Sequence, residues 1–131
     1  MFHPLRLALF VLVALAPGAS AEPPAALKAP PLTPELLDQG RATFMTNCAS
    51  CHGIKGDGNG PLGRALRPRP RDFTRDPFRQ GATPEDVFRT LTDGIPGTPM
   101  GAWAQLSEEE RWATAHFVLT MVPKADPSER R

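Results

Sequence analysis

The sequence predicts an all-α protein, and three observations carry that prediction. Three segments begin with helix-start signals, a Ser or Thr cap followed by Pro or acidic residues, at positions 33–35, 83–86 and 107–110. Apolar residues recur at helical spacing within these segments. No segment shows the alternating pattern of a strand, and no internal repeat or second domain is evident. We therefore expect one small domain built from helices.

The N-terminal residues, 1–21, are typical of a secretory signal peptide. An apolar run at 7–16 follows Arg6, and Ala19-Ser20-Ala21 matches the A-x-A cleavage pattern. The run is too short to cross a bilayer, which takes about 20 apolar residues in a helix. We expect residues 1–21 to be removed, which leaves a chain that is periplasmic or otherwise exported and has no membrane span. Retention of the segment as an anchor is the alternative.

The chain then changes from a proline-dense stretch to the first helix. Residues 22–33 hold too many prolines for a helix interior and are predicted to form an extended linker. Thr33 is a suitable N-cap and Pro34 fits the first helical position, which predicts a helix over 34–47 and a domain over 34–123. Its apolar stripe includes Phe44 and Met45 and is interrupted by Gly40, where another helix could approach closely.

Both cysteines of the chain lie in the pentapeptide Cys48-Ala49-Ser50-Cys51-His52. Two thiols at this spacing, followed at once by His, are the pattern that attaches a c-type haem through two thioethers. A catalytic dithiol, half of a zinc site and a structural disulfide are the alternatives. The pair follows a predicted helix rather than a strand, and no further Cys exists to complete a zinc site. The pattern therefore favours one covalently bound haem c, with His52 as the proximal iron ligand.

A loop with two distinct parts follows the pentapeptide. Residues 53–63 contain five of the 11 glycines and lack the Lys-Ser/Thr ending of a phosphate-binding loop, so they are interpreted as a close turn around a cofactor edge. An arginine- and proline-rich stretch over 64–79 comes next. Surface arginines are usually solvated, but one or two of these could neutralise the haem propionates.

The second iron ligand is predicted in the loop after the next helix. Residues 83–86 start that helix and Gly94 ends it. The following loop, Ile-Pro-Gly-Thr-Pro-Met-Gly at 95–101, places Met100 between rigidifying residues, as a weakly binding thioether requires. Met45 and Met121 are interpreted as ordinary core residues. Trp103 fits haem packing and plain core packing equally well.

The last helix begins with a capping box at Ser107–Glu110 and ends before Pro123. His116 lies on it among packing residues, so a half-buried or exposed side chain is favoured over iron ligation. Residues 124–131 are expected to form a frayed tail.

Charge narrows the choice of partners. The chain has 15 basic and 14 acidic residues, and Arg6 is the only charged residue of the leader. A balanced mature chain argues against nucleic acid as a partner and against an overall basic docking face, although charge could still be unevenly distributed.

From about Pro34 to Met121 the chain resembles the class I monohaem cytochromes c. The features that carry the resemblance are Gly40 and Phe44, the pentapeptide at 48–52, the Met100 loop, and Arg111-Trp112 with Phe117 in the last helix. The resemblance implies a small cytochrome c fold of three to five helices around one haem, with the first helix crossing the last near Gly40. It implies thioethers at Cys48 and Cys51 and iron ligands at His52 and Met100.

The function implied is single-electron transfer between redox protein partners, with no substrate chemically altered. Three alternatives stay open at this point. The chain could be a haem-bearing subunit of a larger respiratory or dehydrogenase complex, a haem enzyme or gas-binding protein with an opened sixth site, or a haem-free domain with a Cys48–Cys51 disulfide.

Overall fold

The computed structural model describes residues 26–124, so the predicted signal peptide, the start of the linker and nearly all of the predicted tail lie outside the described residues. Four α-helices follow one another: α1 (Pro34–Asn47), α2 (Ala49–His52), α3 (Pro84–Asp93) and α4 (Glu108–Thr120). A 3₁₀ turn, Gly63–Ala65, interrupts the long loop between α2 and α3. The described residues contain no strand, which confirms the all-α prediction.

Helix starts coincide with the predicted caps. The side chains of Thr33, Thr83 and Ser107 accept hydrogen bonds from backbone N–H groups in the first turns of α1, α3 and α4. At Thr83 and Ser107 the box is reciprocal, because Asp86 and Glu110 accept from the N–H of the capping residue. These local signals explain why the helices begin where they do.

Helices α1 and α4 cross at a glycine. A Cβ built on Gly40 would lie 2.5 Å from the carbonyl carbon of Ala113 and 2.9 Å from the Cβ of Phe117, closer than real side chains approach. One turn further along, the rings of Phe44 and Phe117 pack with centroids 5.5 Å apart. The implied crossing of first and last helix near Gly40 is therefore confirmed.

Two clusters of buried side chains form the core. One lies under the α1–α4 crossing and the other joins α3 to α4, and Phe78 packs against both. The second cluster centres on Phe88 and Trp112, whose rings stack at 4.0 Å. The long loop therefore contributes to the core, with Phe73 buried in the first cluster.

One core prediction is wrong. Met45 is exposed, because the buried face of α1 is formed by Gly40, Thr43 and Phe44, and Met45 lies about 100° around the helix from Phe44. Met121, by contrast, packs against the first cluster as expected.

The described end of the linker lies against the helices. Residues 26–33 have no regular secondary structure. The N–H of Ala29 donates to a carboxylate oxygen of Glu85 in α3 (2.8 Å), and the carbonyl of Pro30 accepts from Nε2–H of His116 in α4 (3.0 Å). His116 is half-buried, as predicted. Within the described residues, no helix has the length and hydrophobicity that crossing a bilayer would demand.

Candidate functional site

The cysteines and His52 share a single helical turn. Cys48 ends α1, where its N–H donates to the carbonyl of Phe44 (2.8 Å), and the short α2 follows directly. Gly53, at φ +79°, ends this turn with a hydrogen bond to the carbonyl of Ala49 (2.8 Å). The left-handed backbone at Gly53 lets the chain turn away, so both thiols and the imidazole stay together on one wall of a cavity.

Neither thiol is part of a disulfide. Cys48 is buried, and burial raises the pKa of its thiol to about 11, with a smaller contribution from neighbouring Cys51. A catalytic dithiol relies on a lowered thiol pKa, so this environment does not favour redox exchange chemistry. Residues 26–124 also contain no group of three or more His, Cys, Asp or Glu side chains arranged to hold a metal ion.

The imidazole of His52 is fixed in orientation. Its Nδ1–H donates to the carbonyl of Arg71 (3.2 Å), and its ring stacks on Phe73 with centroids 4.6 Å apart. Burial lowers the pKa of His52, the hydrogen bond to Arg71 opposes that shift, and the charge of Arg71 adds to it. The lowered pKa favours the neutral ring, and with Nδ1 engaged its Nε2 keeps a lone pair for a metal.

A network of hydrogen bonds holds the Met100 loop. The N–H of Ile95 donates to the carbonyl of Met100 (2.8 Å), which closes the loop. The hydroxyl of Thr98 donates to the carbonyl of Ile95 (2.7 Å) and accepts from the N–H of Met100 (3.2 Å). The N–H of Trp103 donates to the carbonyl of Leu91 (2.8 Å), which attaches the end of the loop to α3. Met100 is thus presented on a constrained backbone.

All four predicted site residues line one cavity of about 390 Å³. Ligand cavities in proteins span roughly 300–1,000 Å³. Cys48, Cys51 and His52 come from the α2 turn, and Met100 comes from the loop after α3. The other walls are largely apolar. Their side chains include Phe44, Phe73, Phe78, Val87, Trp103 and Val118. His116 is not among the lining residues, so the structure separates it from the site.

Three arginines of the long loop, Arg69, Arg71 and Arg79, also line the cavity. The guanidinium of Arg69 donates to the side-chain oxygen of Asn59 (2.7 Å), and that of Arg71 donates to the carbonyl of Pro77. The sequence could not select among the six arginines of this loop. The structure narrows the candidates for a carboxylate partner to these three.

The cavity suits a haem by the chemistry of its walls. It combines two free thiols, an imidazole with one free nitrogen, a thioether, an apolar lining and a cationic edge. The thiols match the two vinyl groups, and the imidazole and the thioether match the iron. The apolar lining matches the porphyrin faces, and the cationic edge matches the propionates.

Sequence reasoning missed three contributors to this site. The carbonyl of Arg71 orients His52, but a backbone acceptor leaves no trace in residue type. Phe73 and Phe78 form an inner wall, with ring centroids 5.7 Å apart. Their signal was available, since they are two large apolar residues in an otherwise polar, proline-rich stretch.

Comparisons with known proteins agree with this arrangement. Residues 35–118 match the family described as cytochrome c oxidase, cbb3-type, subunit III. Cytochrome c55X of Paracoccus denitrificans (strain Pd 1222) is 33% identical over 117 residues, covering 88% of this chain and 95% of that protein. A chain of the Kuenenia stuttgartiensis reducing HAO-like protein complex superposes with a TM-score of 0.65 at 29% identity, over 80% of this chain. This chain covers 48% of that structural relative.

Proposed function

The chain belongs to the cytochrome c family, and from that premise we propose that it is an exported single-electron carrier with one covalently bound haem c. Cys48 and Cys51 would hold the haem through thioethers, and His52 and Met100 would ligate its iron. The observation that supports this most is the convergence of these four side chains on one cavity from two distant parts of the chain.

The bound haem would supply a one-electron couple at its iron. The chain's own residues would keep both oxidation states in the same geometry. His52 is held by the Arg71 carbonyl and by stacking on Phe73, and Met100 is held by the Thr98 network. Because both residues are held in place by their neighbours, electron exchange would require little rearrangement of the protein.

The apolar lining would exclude water from the ring faces, and His/Met ligation in a poorly hydrated pocket raises a haem potential. Arg69, Arg71 and Arg79 would offset the negative charge of the propionates at the edge of the cavity. Arg71 would thus contribute twice, by its carbonyl to His52 and by its position on the cationic edge.

The experiment that tests this proposal is an optical and electron paramagnetic resonance study of protein made in a host that matures cytochromes c. Haem retained through acid-acetone extraction, together with a low-spin spectrum that carbon monoxide does not alter, is the expected result. Met100→Ala should give a high-spin iron that binds carbon monoxide, whereas Met45→Ala, at an exposed position of α1, should behave as the parent does. A parent protein that binds carbon monoxide would instead indicate a haem enzyme or gas-binding protein.

Export is part of the same proposal and has its own test. N-terminal sequencing of the mature protein from the periplasmic fraction should begin at Glu22, after the predicted signal peptide at 1–21. A mature chain that keeps Met1 would contradict cleavage and favour the anchored form.

A second candidate function is that of a haem-bearing subunit in a larger complex. The matching family is described as an oxidase subunit, and the structural relative is a component of a complex. Purification of the tagged chain from its own host distinguishes the two. A monomer in size-exclusion chromatography supports the free carrier, and stoichiometric co-purifying polypeptides support the subunit.

A further inference from the structure

The basic residues of this chain are distributed unevenly. The stretch over 64–79 holds six arginines and only two aspartates, in a chain with 15 basic and 14 acidic residues overall. Acidic residues concentrate in the first turns of the helices instead, with three of them opening α4. The near-zero net charge therefore conceals a strongly basic surface over one loop.

Three of these arginines, Arg64, Arg67 and Arg69, form what we call the basic rim. All three are exposed. The guanidinium of Arg67 donates to the carbonyls of Arg64 (3.0 Å) and Leu66 (2.7 Å), and that of Arg69 donates to Asn59 (2.7 Å). The side chains of Arg67 and Arg69 are thus held by acceptors of the chain that carry no charge.

No carboxylate neutralises the basic rim. Across residues 26–124 the single ion pair within 4 Å joins Arg89 to Asp86, on α3. The two aspartates of the loop are engaged elsewhere, since Asp72 accepts from Thr74 and Asp76 accepts from the N–H of Asp72. Arg64 and Arg67, which do not line the cavity, therefore present their charge to solvent.

The basic rim borders the cavity, and two exposed apolar side chains precede it in the same loop. Cys51, Leu66 and Arg69 line the cavity. Leu62 is 60% exposed, and its N–H donates to the carbonyl of Ser50 (2.9 Å), next to Cys51. Ile54, 70% exposed, follows His52 closely at the start of the same loop. Exposed apolar residues together with exposed charged ones are the composition of a transient protein contact.

We propose that the basic rim and Leu62 form the docking surface for a redox protein whose own docking patch is rich in carboxylates. This inference rests on the proposed electron-carrier function and specifies the partner's chemistry. A carboxylate patch complements unpaired guanidinium groups, and it would be steered to the edge of the cavity where Cys51 lies. Acidic residues opening α4 would disfavour approach from that side.

The test compares two double variants that remove the same charge. R64Q/R67Q alters the rim at the two positions that do not line the cavity. The control K28Q/R41Q removes two exposed cations that are likewise outside the cavity lining. Stopped-flow oxidation of each reduced protein is measured at low ionic strength with an anionic oxidant, ferricyanide, and with a cationic one, tris(phenanthroline)cobalt(III).

We expect R64Q/R67Q to slow the ferricyanide reaction by about 3–10-fold relative to the parent, and to leave the cobalt reaction unchanged or faster. Polyglutamate should inhibit oxidation of the parent and of K28Q/R41Q, but not of R64Q/R67Q. All differences should shrink in about 1 M salt, where the screening length falls to roughly 3 Å. R64K/R67K should restore parental rates.

Equal slowing by both double variants would overturn the inference, because overall charge would then explain the slower reaction. The inference would also be overturned if neither double variant slowed the reaction. The surface would instead be assigned to a membrane by two results together. The parent, but not R64Q/R67Q, would sediment with phosphatidylglycerol vesicles, and polyglutamate would not inhibit oxidation of the parent. A parent that reacts with neither oxidant, or that lacks a low-spin spectrum, would indicate failure of the electron-carrier proposal itself. If R64Q/R67Q loses that spectrum, the single variant Arg64→Gln decides the docking question.

Discussion

Gly40→Ala is the substitution whose effect on stability the structure determines most directly. The added Cβ would lie 2.5 Å from the carbonyl carbon of Ala113, about 0.9 Å less than the 3.4 Å at which ordinary contact begins. The obstacle is helix backbone, which cannot rotate away as a side chain can. Helices α1 and α4 must therefore separate, and a gap of this size forfeits about a quarter to a half of each dispersion contact across it.

The expected loss follows from two opposing contributions. Overpacking a tight core costs typically about 1–3 kcal/mol, and a backbone obstacle argues for the upper end. Replacing Gly by Ala inside a helix returns about 1 kcal/mol. The net loss of unfolding free energy is then about 2 kcal/mol. With a urea dependence of about 2 kcal/mol/M, the denaturation midpoint should fall by about 1 M.

Urea denaturation of the haem-loaded protein, followed by far-ultraviolet circular dichroism, measures this change. Arg41→Ala is the matched control, since it places the same residue at the next position of α1, which is exposed and outside the cavity lining. Its midpoint should correspond to a free-energy change within about 0.5 kcal/mol of the parent. If Gly40→Ala were as stable as Arg41→Ala, the close α1–α4 crossing and the reasoning from it would be refuted.

Three further substitutions test the site and its attachments. Cys51→Ser should leave haem held by one thioether at most, which the absorption maximum of the pyridine haemochrome reports, and an unchanged maximum would contradict a thioether at this position. Thr98→Val removes the hydroxyl that donates to the loop carbonyl and accepts from the N–H of Met100; leaving such groups unpaired costs about 1–3 kcal/mol, so carbon monoxide should bind the reduced variant more readily than the parent. Glu85→Gln weakens the acceptor of the Ala29 N–H. That bond lowers the pKa of Glu85 below its usual 4.5. Its stabilising effect is therefore present above that pH and lost as pH falls through the lowered pKa. The protection of the Ala29 amide in the parent, measured relative to an unprotected amide at the same pH, should accordingly decrease only in acid.

The helices were predictable because their signals are local. Thr33, Thr83 and Ser107 cap their own helices, and each does so through groups within three residues along the chain. The pentapeptide at 48–52 is equally local, since one turn of helix places its thiols and imidazole together. Periodicity alone did not predict the α1–α4 crossing. That prediction came from the family resemblance.

The end of the linker illustrates the opposite case. Its prolines predict an extended backbone, but nothing in residues 22–33 indicates what that backbone contacts. The partners of Ala29 and Pro30 are Glu85 and His116, which are 56 and 86 positions away in sequence. Backbone donors and acceptors look alike in every sequence, so such contacts follow only from the tertiary fold.

The loop over 64–79 was the least predictable part of the site for the same physical reason. Its regular structure is a single 3₁₀ turn, and its order comes from isolated long-range hydrogen bonds, such as that from the N–H of Phe73 to the carbonyl of Gly56 (2.7 Å). Prolines restrict its backbone without revealing which side chains face inward. The sequence shows six arginines, and only the folded loop identifies the three that line the cavity.

This loop meets two requirements that conflict in any small redox protein. The cofactor pocket needs a dry wall, whereas recognition of a protein partner at the same edge needs a charged, hydrated surface. A regular helix would meet both by dividing its faces, but here an irregular chain does so residue by residue. Phe73 and Phe78 turn inward while Arg64 and Arg67 remain outside. Changes to the outer arginines should therefore alter partner choice without altering the iron site, which is why the two can be tested separately by kinetics and by spectrum.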